Sequence, residues 1–214
     1  AVAAAGARVT GAEGALELEV FTGAVPADAA DRARHVAGGV TLRTSADAVA
    51  LRALHRQQLL LVHEDVDGRV IRATRLQSAA ALDALYAPAE HARLGATIAR
   101  DRTTFALWAP TARNVALCIY DRGTGPARSL RSLQRDAATG AWSATLDRDL
   151  SGSYYTYLVD VHVDGVGAVR NRVTDPYAVS LTTDSRRAYV ADLQSPRLKA
   201  PGWDRTPSPD RVQA

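Results

Sequence analysis

The chain has 214 residues, enough for one large domain or two small ones, and in a β-rich sequence two is the better expectation. Its 47% hydrophobic and 23% charged residues are those of an ordinary globular protein, and no apolar run approaches the ~20 residues that span a bilayer. The net charge is only +3, carried almost wholly by arginine with Lys199 the single lysine, and the scattered cations exclude a basic nucleic-acid arm. Cys118 is the only cysteine, which rules out an internal disulfide and argues against a cysteine-based metal site. The opening AVAAAG lacks the charged start and apolar core of a signal peptide. A secreted or periplasmic location is the leading expectation, although nothing in the composition fixes it.

Residues 1–15 are small and polar and read as a frayed end. Leu16–Phe21 alternates as a short strand, Thr22–Ala27 turns, and Asp28–Ala37 reads as a short helix stopped by Gly38-Gly39. After a strand over Val40–Thr44, Ser45 is placed to cap a helix over Ala46–Arg56. Gln58–His63 and Arg69–Thr74 flank Asp67-Gly68, a strong hairpin signal because both residues accept positive φ. Ser78–Tyr86 reads as a helix stopped by Pro88.

From Leu94 onward the pattern changes to short strands divided by turns, as in a β-sandwich. Thr104–Trp108 and Asn114–Tyr120 alternate around the breaker Ala109-Pro110-Thr111. Arg122–Pro126 is a loop, Ser129–Arg135 an edge strand, Asp136–Gly140 a turn and Ala141–Leu146 a strand. The longest strand follows Gly152, with Tyr155, Tyr157 and Val159 on one face and Tyr154, Thr156 and Leu158 on the other. Asp164-Gly165 turns it back into Ala168–Val173. Past Asp192 the prolines Pro196, Pro201, Pro207 and Pro209 give a linker composition.

Four phrases carry a family resemblance. Leu94-Gly95-Ala96 with TTFALWAPTA and a following Tyr120-Asp121 is similar to the start of the β-sandwich that precedes the barrel in pullulanase-type α-1,6-debranching enzymes of glycoside hydrolase family 13. That sandwich is a family-48 carbohydrate-binding module. VTDPYAVSL (residues 173–181) followed by Asp184-Ser185-Arg186-Arg187 resembles its exit, and Leu198–Asp204 (LKAPGWD) the approach to the barrel. Upstream, residues 77–87 (QSAAALDALYA) resemble the phrase that enters the sandwich, with the family's Pro-Gly replaced. The resemblance implies a mainly β chain of two β-rich domains: 1–92 with a few short helices, then an immunoglobulin-like antiparallel β-sandwich over 93–193. Residues 194–214 would be a Pro-rich linker toward an absent catalytic (β/α)8 barrel.

Glycoside hydrolysis needs two opposed carboxylates, and the family's G-F-R-x-D nucleophile phrase does not occur here. No strand–helix alternation is long enough for a barrel either. The resemblance therefore implies a non-catalytic accessory region that supports the barrel of the same enzyme, with α-glucan (pullulan, starch, glycogen) as the candidate ligand and any calcium held in the missing catalytic domain. Glu64, Asp65 and Asp67 read as a solvated hairpin tip, since no twelve-residue calcium loop follows. No catalytic residue, metal ligand, nucleic-acid surface or membrane segment is expected. Sugar-binding aromatics are sought in Trp142, Tyr154 and Trp203, with Trp108 assigned to the core. Glycogen-binding members of the module class have a tryptophan in the first loop, a lysine between the strand aromatics and a second tryptophan after V-D-G. Here those places hold Asp121–Gly125, Thr156 and Val166-Gly167. A stand-alone glucan-binding module and a protein–protein interaction sandwich are the alternatives.

Overall fold

The computed structural model describes residues 1–32, 34, 39–76, 79–163 and 165–205. Part of the helix expected over 28–37, its Gly38 stop, Gln77-Ser78, Asp164 of the expected hairpin and the linker after Arg205 lie outside the described residues.

The N-terminal part is built of small pieces: β1 (Glu19–Val20), α1 (Ala27–Arg32), β2 (Leu42–Arg43), α2 (Ala48–Leu54), β3 (Leu60–Glu64), β4 (Val70–Arg75) and α3 (Ala79–Leu85). β1 pairs antiparallel with β2, and β3 with β4. The first residues do not fray. Val2 and Thr10 bridge each other, while the Gly6 N–H donates to the Val70 carbonyl and the Val70 N–H to that of Ala7, which covers part of the β4 edge. The cap of α2 is Asp47 rather than Ser45. Its Oδ1 accepts from the Ala50 N–H at 2.8 Å, because the chain turns two residues later than the propensity pattern places it. At the hairpin tip the Asp65 carboxylate accepts from the N–H groups of Asp67 and Arg69, so the acidic cluster serves the turn.

The sandwich follows: β5 (Gly95–Ala99), β6 (Arg102–Trp108), β7 (Asn114–Tyr120), β8 (Ser129–Ser132), β9 (Gln134–Arg135), β10 (Ala141–Leu146), β11 (Tyr154–Val163), β12 (Gly167–Val173) and β13 (Ala188–Tyr189). One sheet has the order β5–β6–β10–β9, and the other β12–β11–β7–β8 with β13 also on β11. β7 occupies one edge of β11 along residues 154–160. The opposite edge is shared by β12 at residues 157–163 and β13 at 154–155. The run expected as one edge strand over 129–135 is divided between the sheets at the buried Leu133. Period-two alternation then fills the space between the sheets with Phe105, Leu107, Val115, Leu117, Ile119, Tyr155, Tyr157 and Val159. Phe105 meets Tyr155 edge-on at 4.9 Å, and Tyr155 meets Tyr157 at 5.8 Å, contacts worth about 0.5–1.5 kcal/mol each beyond area burial.

Polar groups inside this core are placed by the exit segment. The Tyr155 hydroxyl donates to Asp175 Oδ2 at 2.7 Å, and Asp175 Oδ1 accepts from the Tyr177 N–H at 2.8 Å. Tyr157 is coupled electrostatically to the same carboxylate, but its buried hydroxyl makes no hydrogen bond of good geometry. Burial raises Asp175 above the ordinary carboxylate range, against the opposing effect of the bonds from Tyr155 and Tyr177. Gly95, at φ +87°, lies against the same turn: a Cβ there would sit 3.0 Å from the Tyr177 carbonyl oxygen.

Two predictions follow from this convergence. Gly95→Ala combines left-handed strain with a backbone collision and lowers stability by about 2–4 kcal/mol. Gly125→Ala, also at positive φ but with open space around it, costs about 1 kcal/mol. Urea midpoints of the two variants measure the difference, and equal losses would contradict the packing described. Because its folded-state pKa is raised, Asp175 favours the folded state most below the unfolded carboxylate pKa, and that contribution is lost as pH rises through the folded value. Wild type therefore loses stability relative to Asp175→Asn as pH is raised from about 4 toward 7. Urea unfolding of both across that range tests it, a pH-independent difference being the contrary result.

Candidate functional site

A sugar-binding surface needs an aromatic ring with one face open to solvent. The structure separates the candidate aromatics by that criterion. Trp142 on β10 is only 6% exposed, packs in the core and donates its Nε1–H to the Ala109 carbonyl at 3.0 Å. It presents no face to a sugar, and the sequence expectation for it is corrected: its register opposite Leu107 turns it between the sheets. Trp108 is half-buried and donates to the Thr139 carbonyl of the Asp136–Gly140 turn.

Tyr154 lies on the outer face of the five-stranded sheet, as its alternation with Tyr155 requires. Its ring is half-buried against Tyr189 of β13, with centroids 5.1 Å apart, and lies close to Gly123 of the 121–125 loop. Next to it, the Tyr120 hydroxyl and Thr156 Oγ1 are 3.0 Å apart and buried. The face of the Tyr120 ring is taken by the guanidinium of Arg187, whose Cζ is 3.6 Å from the ring centroid. Arg187 also donates to the carbonyls of Arg122 (2.7 Å) and Gly125, so one side chain covers the ring and fixes the loop. Arg187 was visible in the sequence only as part of the exit phrase; its stacking on a residue 67 positions earlier has no local signal.

Trp203 is different. It is 63% exposed in a one-turn 3-10 helix, Trp203–Arg205, beside the Lys199–Asp204 ion pair of 2.9 Å. With Pro196, Lys199, Pro201 and Arg205 it lines an open hollow of about 330 Å³. Around the exit from the sandwich Tyr177, Val179, Leu181, Leu193 and Leu198 are also exposed, Val179 at 67%. Among the described residues no three His, Cys, Asp or Glu side chains are grouped to hold a metal ion, and no helix is long and apolar enough to cross a membrane.

The N-terminal part meets the sandwich at Tyr86, which is 1% exposed. Its hydroxyl accepts from Arg135 at 2.7 Å, and Gly140 lets its ring approach so closely that a Cβ there would lie 3.0 Å from it. Arg56 donates to the carbonyls of Ala112 and Arg113 at 3.0 and 2.9 Å, and Arg113 returns a bond to the Arg56 carbonyl.

Comparison with known proteins agrees with this architecture. The Pullulanase N2 domain family matches residues 1–84, and carbohydrate-binding module 48 (isoamylase N-terminal domain) matches residues 93–178. A pullulanase of Klebsiella pneumoniae is 41% identical over 145 residues, 67% of this chain and 13% of that protein. Pullulanase 1, chloroplastic, of Arabidopsis thaliana is 32% identical over 190 residues, 88% of this chain and 19% of its own length. The crystal structure of ligand-free PulA from Klebsiella pneumoniae superposes with a TM-score of 0.81 at 34% identity, covering 88% of this chain and 18% of that one. PulA from Klebsiella oxytoca gives 0.81 at 33% identity, covering 89% and 18%. The chain thus spans less than a fifth of the length of these relatives. It joins a pullulanase N2 domain to a carbohydrate-binding module of family 48 and has the make-up of the N-terminal region of a pullulanase.

Proposed function

We propose that this chain is the non-catalytic accessory region of a pullulanase-like enzyme that hydrolyses α-1,6 branches in α-glucans such as pullulan, starch and glycogen. Its role is mechanical: the N2 domain and the sandwich support a catalytic (β/α)8 barrel of the same polypeptide. The two opposed carboxylates of hydrolysis, and any calcium, belong to that barrel. Export of the enzyme to a secreted or periplasmic location is part of the same reading. The observation that carries it is the order of two matched modules over most of this chain but under a fifth of its relatives.

The disposition of aromatics favours support over sugar capture. Trp142 is in the core, Tyr154 leans on Tyr189, and the Tyr120 face is filled by Arg187. Meanwhile Tyr177, Val179, Leu181 and Trp203 are exposed apolar side chains along the exit segment, which a following domain would cover. Among the three candidate aromatics only Trp203 has an open ring, so any glucan contact of the isolated chain is assigned to it.

Affinity electrophoresis in gels with and without pullulan or amylopectin tests this directly. The 214-residue chain is expected to run unretarded; retardation abolished by Trp203→Ala would replace support by sugar binding as the main role. In the parent enzyme, Val179→Asp combined with Trp203→Ala lowers the temperature of half-inactivation by several degrees with kcat/KM unchanged. An unaltered inactivation temperature would remove Val179 and Trp203 from the barrel contact.

A further inference from the structure

The seam between the two modules gathers positive charge that the supporting role does not require. Arg52 lies with its Cζ 5.3 Å from the Tyr86 ring centroid, and Arg135 at 5.8 Å. Arg56 and Arg113 are laced together through each other's backbone immediately alongside. Among the described residues none of these four forms an ion pair with a carboxylate; every one of their hydrogen bonds goes to a carbonyl or to the Tyr86 hydroxyl. Asp136 is close enough to Arg135 to be influenced by it, but its Oδ1 is engaged by the N–H groups of Ala138 and Thr139 and by the Thr139 hydroxyl.

Like charges held together repel unless a counter-charge sits among them. Burial first, then the nearness of Arg135 and Arg113, keeps Arg56 below the ordinary arginine value. Each guanidinium carries five N–H donors, and the bonds present use only one or two of them on each side chain. The Nε–H of Arg135 is buried without a partner, a donor whose desolvation is left uncompensated. Planar forks with spare donors, of one charge and brought to the seam from both modules, offer the donor geometry that a tetrahedral oxyanion accepts from.

We propose that Arg52, Arg56, Arg113 and Arg135 form a binding site for one small oxyanion of the phosphate or sulfate class at the seam between the two modules. The bound anion would neutralise the cluster and tie α2 to β9 and to the β6–β7 corner. The site thereby makes the docking of the modules sensitive to anions, a property separate from the barrel-supporting role.

Inorganic phosphate is the probe. Isothermal titration into the 214-residue chain at constant ionic strength, with chloride as the balancing anion, is expected to show one saturable site with a dissociation constant of about 1 mM or tighter. Arg113→Gln removes an exposed guanidinium, and Arg135→Lys keeps the charge while losing the fork. Each weakens phosphate about tenfold, whereas Arg172→Gln on the remote β12 leaves it unchanged. Far-UV circular dichroism certifies that each variant is folded. Absence of saturable binding to wild type, or binding that folded Arg113→Gln and Arg135→Lys both retain, overturns the proposal.

Discussion

The Asp175 carboxylate, buried where Tyr155 can donate to it, is the constraint from which the rest of the sandwich is arranged. Tyr155 stands at the middle of the core on β11, the strand that carries three neighbours, and its hydroxyl must find a partner inside apolar surroundings. The partner comes from the exit segment, so satisfying one tyrosine fixes the path of the chain as it leaves the second sheet. That path brings Tyr177 against Gly95 at the entrance, places β13 on the free end of the β11 edge and swings Arg187 over Tyr120. An unpaired tyrosine hydroxyl at that depth would cost about 1–3 kcal/mol. Entrance and exit are thus held by the same few atoms, although some 80 residues separate them.

The N-terminal part depends on the sandwich in a different way. Among its described residues through position 92, Val70 and Tyr86 are the only buried hydrophobics, and Tyr86 is buried by the other module. Two-stranded ribbons with so little enclosed surface are marginal alone, since small assemblies bury too small a share of their area. Support is therefore passed in sequence: the sandwich core holds the Asp136–Gly140 turn, the turn receives Tyr86, and Tyr86 anchors the helices and ribbons before it. Beside the Tyr86 ring, arginine-to-carbonyl bonds across the seam set the angle of docking, which leaves this joint more polar than the core on which it rests.

Much of the sandwich could be read from residue order. Alternation placed Tyr155, Tyr157 and Val159 inward, and the breaker at Pro110 divided β6 from β7 at the observed corner. β5 and β13 were not separately legible. β5 begins at a glycine chosen for its approach to Tyr177, and β13 is two residues long and exists because β12 leaves part of an edge vacant. The run 129–135 read as one strand because local patterning has no means of showing that its halves serve different sheets. At the N-terminus, low hydrophobicity suggested fraying, yet bonds to β4 order these residues by backbone pairing, which is blind to side-chain composition.

The candidate site shows where sequence stops. By itself the sequence determined the module types and the facing of the long strand, because these depend on residue identity and a two-residue period. It could not determine which aromatic rings remain open. Trp142, Tyr154 and Trp203 look alike as sequence neighbours of turns, strands and prolines. Only tertiary structure closed Trp142 between the sheets, leaned Tyr154 on Tyr189 and left Trp203 in solvent. The physical reason is that the exposure of a ring is set by what packs on its two faces, and here those neighbours come from segments distant in the chain.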